Sequence, residues 1–443
     1  MATITPFRGF TYNEALAGNI SGLVCPPYDI ISPAEQQELY RKSPYNIVRL
    51  EFGLSSPGDT DEDNRYSRAA ALLDEWLKIG VLRQSKAPAF YIYEMEYPTG
   101  AGGRTRKLRG FIGMVRIEDY ASGIVKPHET TLSGPKTDRL NLLRACRAGF
   151  SQIFSLISDP SGTIANVLGA IAEKPDTEVK GGDGVVHRVW TYTDKAGIDA
   201  ISSAVDDQPI FIADGHHRYD TALNYRNERR KITGSFTGSE GFNYVPMFLA
   251  RIEDPALTVL PAHRALFNLT DFHPRKFEDD LNRYFNIERI DFTKKSEPAD
   301  RRTVLDTMAN RADHAHVFGM RVKHEHSYYL LSLRNVADMD SIIPAKSPAY
   351  RQLDVSILHH LIIDRLLGIR MDTHKLGLNI EYIKDADEAV RRVADGSAEV
   401  IFLMNPTKVT EVRDVAAAGE RMPQKATYFY PKLLSGLVIN KID

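Results

Sequence analysis

The feature that most constrains this chain is an apolar run of strand length, Gln208 to Ala213, that stops at Asp214-Gly215 and gives way at once to helical periodicity. Beyond the glycine, Tyr219, Ala222, Leu223 and Arg226 share one side of a helix, while Glu228, Arg229 and Arg230 fall on the solvated side. The pattern reads as strand, tight glycine turn and helix.

The turn itself spells Ile212-Ala213-Asp214-Gly215-His216-His217-Arg218. A helix N-terminus presents unpaired backbone N–H groups and the positive end of the helix dipole, which makes it a natural anion site. Gly215 permits the sharp turn and lets the backbone approach a phosphate closely. Arg218 in the first helical turn is poorly placed against the dipole, a cost that a bound anion would offset. Asp214 suits a general base, a metal ligand or a helix N-cap, and His217 a proton shuttle or phosphate donor. A capped helix with a solvated charge cluster is the plainer alternative; two adjacent histidines followed by arginine in one turn favour a functional role.

At 443 residues the chain is too long for one core. We expect an α+β protein of two domains: residues 1–265, carrying the turn and binding nucleotide or phosphate, and residues 266–443, a separate α+β domain. In the first, a helix starts at Ser32-Pro33-Ala34-Glu35, Asn46 to Phe52 alternates as a strand, and Arg65 to Lys78 is an amphipathic helix. Ala89 to Tyr97 and Leu108 to Ile117 form a hairpin around the Gly-rich stretch Thr99 to Gly103, Asp138 to Arg147 is helical, and Asn243 to Arg251 is a strand. In the second, helices are expected over Phe277 to Tyr284, Asp354 to Leu367 and Asp387 to Ala394, two strands over His314 to Leu333, and a buried strand over Glu399 to Met404.

Fifty-six Lys and Arg against 58 Asp and Glu leave a net charge of -2, without the basic excess of a nucleic-acid binder. The two cysteines, Cys25 and Cys146, make no disulfide framework and read as small core residues of a protein in a reducing cytoplasm. The opening residues lack the pattern of a signal peptide, and no segment approaches the roughly 18 apolar residues of a membrane helix. A cytoplasmic protein without a membrane segment is the expectation.

Four other constellations carry chemistry-bearing residues. His128-Glu129 lacks the second histidine of a zinc-protease helix, since position 132 is Leu, and leads through Gly134-Pro135-Lys136 into a helix with Arg139, Arg144 and Arg147. Arg139 and Arg147 on one helix face would clamp a phosphate. The pairs His314/His316 and His324/His326 have strand spacing for metal chelation but no third ligand, and His359-His360 lies in an apolar helix; both read as structural. The loop Arg421 to Lys432 mixes basic and aromatic residues, and whether it joins the site stays open. No P-loop, dinucleotide-binding glycine motif or nucleophile elbow is present.

Several of these stretches carry a resemblance. Pro6-Phe7-Arg8-Gly9, Pro26-Pro27-Tyr28-Asp29-Ile30-Ile31-Ser32, Pro44-Tyr45-Asn46, His128-Glu129, Gly134-Pro135-Lys136, Asp138-Arg139, Asp214 to Arg218, Leu260-Pro261-Ala262-His263-Arg264 and Met422-Pro423-Gln424-Lys425 resemble the prokaryotic domain of unknown function 1015 over essentially the whole chain. The Asp-Gly-His-His-Arg core is also similar to the signature of the ParB/sulfiredoxin superfamily, which includes CTP-hydrolysing partition proteins, ATP-using sulfiredoxins and free-serine kinases. That second resemblance implies a ParB/sulfiredoxin-like core and nucleotide-dependent phosphoryl chemistry, with Asp214, Gly215, His216, His217 and Arg218 as phosphate and catalytic positions. His216 stands where sulfiredoxins place a catalytic cysteine, which argues against sulfur chemistry. Serine kinases of the superfamily also use an acidic residue from an earlier segment, for which Glu51 and Glu129 are the candidates.

The expectation that follows is a phosphotransferase using ADP, ATP or CTP with Mg²⁺ on a small hydroxylated metabolite, free serine or phosphoserine foremost. Asp214 or Glu129 would take the hydroxyl proton, with Asp214, His217 and Glu129 as the catalytic set. Gly215, His216, Arg218, Lys136, Arg139, His128 and Arg144 would hold the phosphates. The alternatives are a nucleotide-sensing switch that binds CTP or ATP without turning over a metabolite, and a metal-dependent phosphodiesterase built on His128, Glu129 and His217. A nucleic-acid partner is disfavoured by the charge balance, and a homodimer is compatible with all of these readings.

Overall fold

Helix starts fall where short-range capping chemistry puts them. The Ser32 hydroxyl and the Glu35 carboxylate close a capping box on the helix Pro33–Lys42, and Asn64 with Ser67 does the same for Arg65–Lys78. The computed structural model describes residues 1–443 apart from 100–103, 132, 173, 207, 370–378 and 443, so the expected glycine-rich hairpin turn and Leu132 lie outside the described residues. The two strands flanking that turn, Phe90–Thr99 and Arg104–Arg116, pair antiparallel with Tyr91 opposite Ile112.

The chain is α+β and divides into two compact units. The first comprises residues 1–127, 131–258 and 431–443, and the second 128–130 and 259–430. The expected single boundary near residue 265 therefore shifts to Thr258/Val259 and misses two excursions. Local patterning does not reveal the second of them, because what ties residues 431–443 to the first unit is pairing with partners far upstream. Asn440–Lys441 pairs with Ala148–Gly149, Phe10 and Ile439 exchange backbone hydrogen bonds, Cys25 and Ser435 do likewise, and Gln152 Nε2 donates to Val438 O at 2.5 Å.

The first unit is built on a nine-stranded mixed sheet. Its order runs Val125–Lys126, Ile210–Asp214, Ile153–Ile157, Tyr244–Arg251, Arg104–Arg116, Phe90–Thr99, Val186–Tyr192 and Thr177–Lys180, with Ile4–Thr5 pairing off Arg104–Arg116. Ile210–Asp214, the site strand, lies parallel to Val125–Lys126 and antiparallel to Ile153–Ile157, and its register slips between Ile212 and Asp214. Such an irregularity re-aims the residue that ends the strand. Behind it the site helix His216–Thr233 buries Tyr219 and Ala222 in the sheet's core with Ile212, Met247 and Leu249. The flanking helix Ser133–Cys146, longer by a turn than the expected Asp138 to Arg147, packs against the site helix.

One expected strand is overturned. Val48–Glu51 is a short helix, not part of a strand from Asn46 to Phe52. Asn46, fully buried, accepts from Val48 N at 2.9 Å and donates to Gly22 O and Val24 O, and this bends the chain into a turn that apolar alternation alone does not disclose.

The second unit carries a six-stranded antiparallel sheet in the order Phe285–Asp291, Ser327–Leu333, Val317–Val322, Val400–Leu403, His263–Leu266 and Ile380–Ile383. Its core packs Val304 and Met308 of the helix Glu297–Arg311 and Val390 and Val393 of Ala386–Ala394 against that sheet. The apolar stretch expected as one α-helix from Asp354 to Leu367 is a single α-turn, Asp354–Ser356, continued by a π-helix over Ile357–Leu366, as the Leu367 N–H to Ile362 O bond illustrates. Among the described residues no helix is long and apolar enough to cross a membrane.

Candidate functional site

Gly215 is the hinge of the site. Its φ of +93° lies in the left-handed region, and a Cβ there would stand 2.8 Å from Arg218 Nε. Only glycine fits: the Arg218 side chain folds back across it, so the turn and the arginine are shaped together. The site helix has Gly215 as its N-cap, a residue with no side chain to cap it. Asp214 therefore does not play the capping role considered from sequence.

Asp214 instead gathers cations. Its Oδ2 accepts from Arg218 Nη2 at 2.9 Å and its Oδ1 from Lys432 Nζ at 2.5 Å, while Arg218 Nη1 donates to Gln152 O. All three charged side chains are at least four-fifths shielded from solvent. Burial alone would raise the Asp214 carboxyl, yet Lys432 and then Arg218 outweigh it and hold the group well below the usual carboxylate range. Two consequences depart from the sequence reading. The dipole cost of Arg218 is met within the chain by Asp214, so that cost by itself does not signal a ligand. A carboxylate held this acidic is also a poor proton acceptor at neutral pH, which removes Asp214 as the general base.

A second cluster surrounds Glu51. Arg139 Nη1 donates to Glu51 O at 2.7 Å and lies 3.4 Å from Glu51 Oε1, which also accepts from Ser151 Oγ at 3.0 Å. Asp138 holds the other side of Arg139 at 2.6 Å and accepts from Tyr66 OH at 2.7 Å and from Arg65. The Arg139 guanidinium sits 4.1 Å from the centre of the Tyr28 ring. Burial pushes the Tyr28 hydroxyl up to about 12 against the opposing pull of Arg139 and Arg218, so Tyr28 lies within electrostatic reach of both arginines. The Arg139/Arg147 phosphate clamp does not form, because Arg139 is buried in these pairs and Arg147 lies beyond the helix with φ +48°.

Between the two helices and the sheet lies a cavity of about 70 Å³ whose lining includes Glu51, Arg139, Ser151, Arg218 and Thr221. Its remaining walls are mostly apolar, with Leu143, Phe150 and Val245 among them beside Tyr225, Tyr244 and Asn440. Arg218 thus belongs both to the turn and to the cavity wall.

The other expected site residues are distributed unevenly. Lys136 is brought to the site helix, 3.7 Å from Asp220, whose oxygens also accept from Tyr120 OH and Thr131 Oγ1. His216 is buried and His217 half-buried in the first helical turn. Arg144 is not in the cluster. It pairs at 2.6 Å with Glu228, three turns further along the helix, and both are largely exposed. His128 and Glu129 pack in the second unit, where His128 Nε2 and Thr427 Oγ1 are 2.9 Å apart and Lys425 N donates to Glu129 Oε1 at 3.1 Å. Of the loop Arg421 to Lys432, only Pro431 and Lys432 belong to the first unit, and Lys432 reaches the site. Tyr28, Gln152 and Asp220 were not singled out as site residues from sequence, and Lys432 was marked only as the end of a loop whose place in the site stayed open. Tyr28 had a signal, since it sits in the Pro-Pro-Tyr-Asp stretch.

His316 Nδ1 bonds Asp354 Oδ1 at 2.7 Å, and among the described residues no group of three or more His, Cys, Asp or Glu side chains is arranged to hold a metal. Cys25 and Cys146 are buried free thiols; burial pushes Cys146 up to about 12 and Cys25 well above its ordinary value, so neither is a nucleophile at neutral pH.

Fold and site define an α+β protein with a glycine-hinged strand-to-helix turn beside a half-apolar cavity. The chain belongs to the protein family of unknown function DUF1015, whose model matches residues 4–356. Among curated proteins none matches. Among solved structures, a free serine kinase in complex with ADP is similar at 12% identity and a TM-score of 0.33, covering 71% of this chain and 89% of that one. A conserved hypothetical protein from Pyrococcus furiosus is similar at 12% identity and a TM-score of 0.32, covering 72% and 92%. SbnI with a C-terminal truncation, from Staphylococcus aureus, is similar at 11% identity and a TM-score of 0.33, covering 73% and 85%.

Proposed function

We propose that this protein is a nucleotide-dependent phosphotransferase acting on a small hydroxylated metabolite. The observation that carries the reading is the N-terminus of the site helix: glycine at the N-cap, with Arg218 and Lys432 both bonded to Asp214 beside it. The positive end of the helix dipole lies there, and a glycine backbone lets a phosphate approach closely, which together favour an anion. Gly215, His216, His217 and Arg218 hold the nucleotide phosphates, with Lys432 and Lys136 supplying further positive charge.

In the transfer, the acceptor oxygen forms a bond to the terminal phosphorus of the nucleotide as the bridging P–O bond breaks. The bonding pair leaves with the shortened nucleotide, and the acceptor proton passes to a carboxylate. Glu51 takes that part in place of Asp214, because it lines the cavity that Arg218 also walls. His128 and Glu129 bond the segment Met422 to Thr427 within the second unit and take no part in this transfer. Asp214 has both oxygens engaged by Lys432 and Arg218, so the described side chains form no cage for Mg²⁺. An Mg²⁺ ion would arrive on the nucleotide phosphates and neutralise part of their charge.

One observation favours the alternative of binding without turnover: the turn itself holds no carboxylate of ordinary basicity. A thermal-shift series with ADP, ATP and CTP, read beside phosphorus NMR with serine and other small alcohols, separates the readings. A nucleotide at 100 times its Kd raises stability by about 2.7 kcal/mol. The expected result is such a shift, its loss in Arg218→Ala, and a new phosphoester with at least one alcohol. A shift without any phosphoester supports the switch, and no shift with any nucleotide overturns both.

A further inference from the structure

The cavity beside the turn has a chemistry of its own. Its charged groups are matched within the chain: Glu51 pairs with Arg139, and Arg218 with Asp214. An ionic head group entering it would lose water without gaining an unmatched counter-charge, which is costly. Apolar side chains, including Leu143, Phe150 and Val245, make up most of the wall.

One polar group there lacks a partner. Thr221 is 3% exposed and lines the cavity, and its Oγ1 makes no hydrogen bond. A buried hydroxyl without a partner is uncommon and marks a place where something else completes the bond. Thr221 lies one turn beyond Arg218 on the site helix, and the Ser151 hydroxyl shares the lining. The cavity offers about 70 Å³, and a water-sized group needs ~10–15 Å³, so roughly five non-hydrogen atoms fit before a ligand reaches the open side.

We infer that this cavity is the acceptor subsite, and that it selects a neutral alcohol with a short apolar body over a zwitterionic amino acid. The inference rests on the phosphotransferase reading for the word acceptor; the binding preference stands without it. The ligand's apolar chain lies among Leu143, Phe150, Tyr225 and Val245, one hydroxyl completes Thr221, and the reacting hydroxyl faces Glu51 and Arg218.

The test uses the full chain and measures binding of pentane-1,2-diol, 1-pentanol and L-serine by titration calorimetry, without nucleotide and again with a non-hydrolysable ATP analogue. Thr221→Val keeps the shape and removes the hydroxyl, and Ala222→Leu fills the cavity from the same helix. The expected outcome is that the diol binds at least tenfold more tightly than serine. Thr221→Val then weakens the diol about tenfold with an unchanged or raised Tm, and Ala222→Leu abolishes diol binding. Serine binding as tightly as the diol, no alcohol binding, or alcohol binding indifferent to both substitutions overturns the inference. Binding of the ATP analogue is read separately: its absence with diol binding intact removes the phosphotransferase reading and leaves the cavity's selectivity standing.

Discussion

At the scale of single residues, the decisive fact is that Asp214 serves two cations at once. Asp214→Asn keeps the shape but removes the anion that Arg218 and Lys432 both bond, and breaking a buried pair in this way costs about 3–5 kcal/mol. Chemical denaturation at pH 7 measures it. The native carboxyl is depressed below its unfolded value, so its contribution is present above the unfolded value near 3.9 and is lost as pH falls through the native one. Asp214→Asn is therefore expected to flatten the acid limb of the stability profile. In the second unit the sign works through histidine. Burial, then Arg264, lowers His263 to about 4, and burial also holds His359 well below its ordinary value. The unfolded chain binds those protons first, so stability is full above about 6.5 and falls from there through about 4. Melting curves across pH 4 to 8 check this, and His263→Asn should shrink the acid loss. Neither the Asp214–Lys432 pair nor the Glu51–Arg139 pair is legible in the sequence, because the partners stand 218 and 88 residues apart.

At the scale of elements, what was legible was local. The capping box at Ser32, the amphipathic periodicity of Arg65 to Lys78, the apolar run of the site strand and the periodicity of the site helix each act within a few residues, and each element forms where its signal lies. Misreadings came where distant contacts decide. The buried Asn46 turns an alternating stretch into helix by bonding Gly22 and Val24, whereas nothing in the structure explains why the apolar Ile357–Leu366 widens into a π-helix. The glycine turn was legible as a turn; that its glycine is also demanded by the Arg218 side chain was not. Gly215→Ala tests that geometry. The left-handed backbone costs about 1–3 kcal/mol for a residue with a Cβ, and the methyl must displace Arg218 from its place over the turn. The expected result is a lowered Tm together with nucleotide affinity reduced as far as in Arg218→Ala. Lost stability with full affinity would separate the two roles of the glycine.

At the scale of the molecule, the two units are not consecutive in the chain. The first takes back residues 431–443 after the second unit's 259–430, and those residues supply Lys432, the Asn440–Lys441 strand and the bond from Gln152 to Val438. Removing 431–443 is therefore expected to damage the first unit more than the second. In native-state hydrogen exchange, amides of the site strand and of Ile153–Ile157 should lose protection while those of Val317–Val322 keep theirs. Equal loss in both units would show that the segment is not specific to the first.

The pairing of Asp214 with Lys432 sets an order of events on the ribosome. At roughly 5–20 residues per second, the 218 residues between them take about 10–40 s to make. Throughout that interval the nascent turn holds its arginine but not its lysine, while the chain of the second unit emerges and begins to fold. The Asp214 cluster of the first unit is finished only afterwards, so a stalled or prematurely released chain would carry the whole glycine turn and still lack the lysine that bonds beside it.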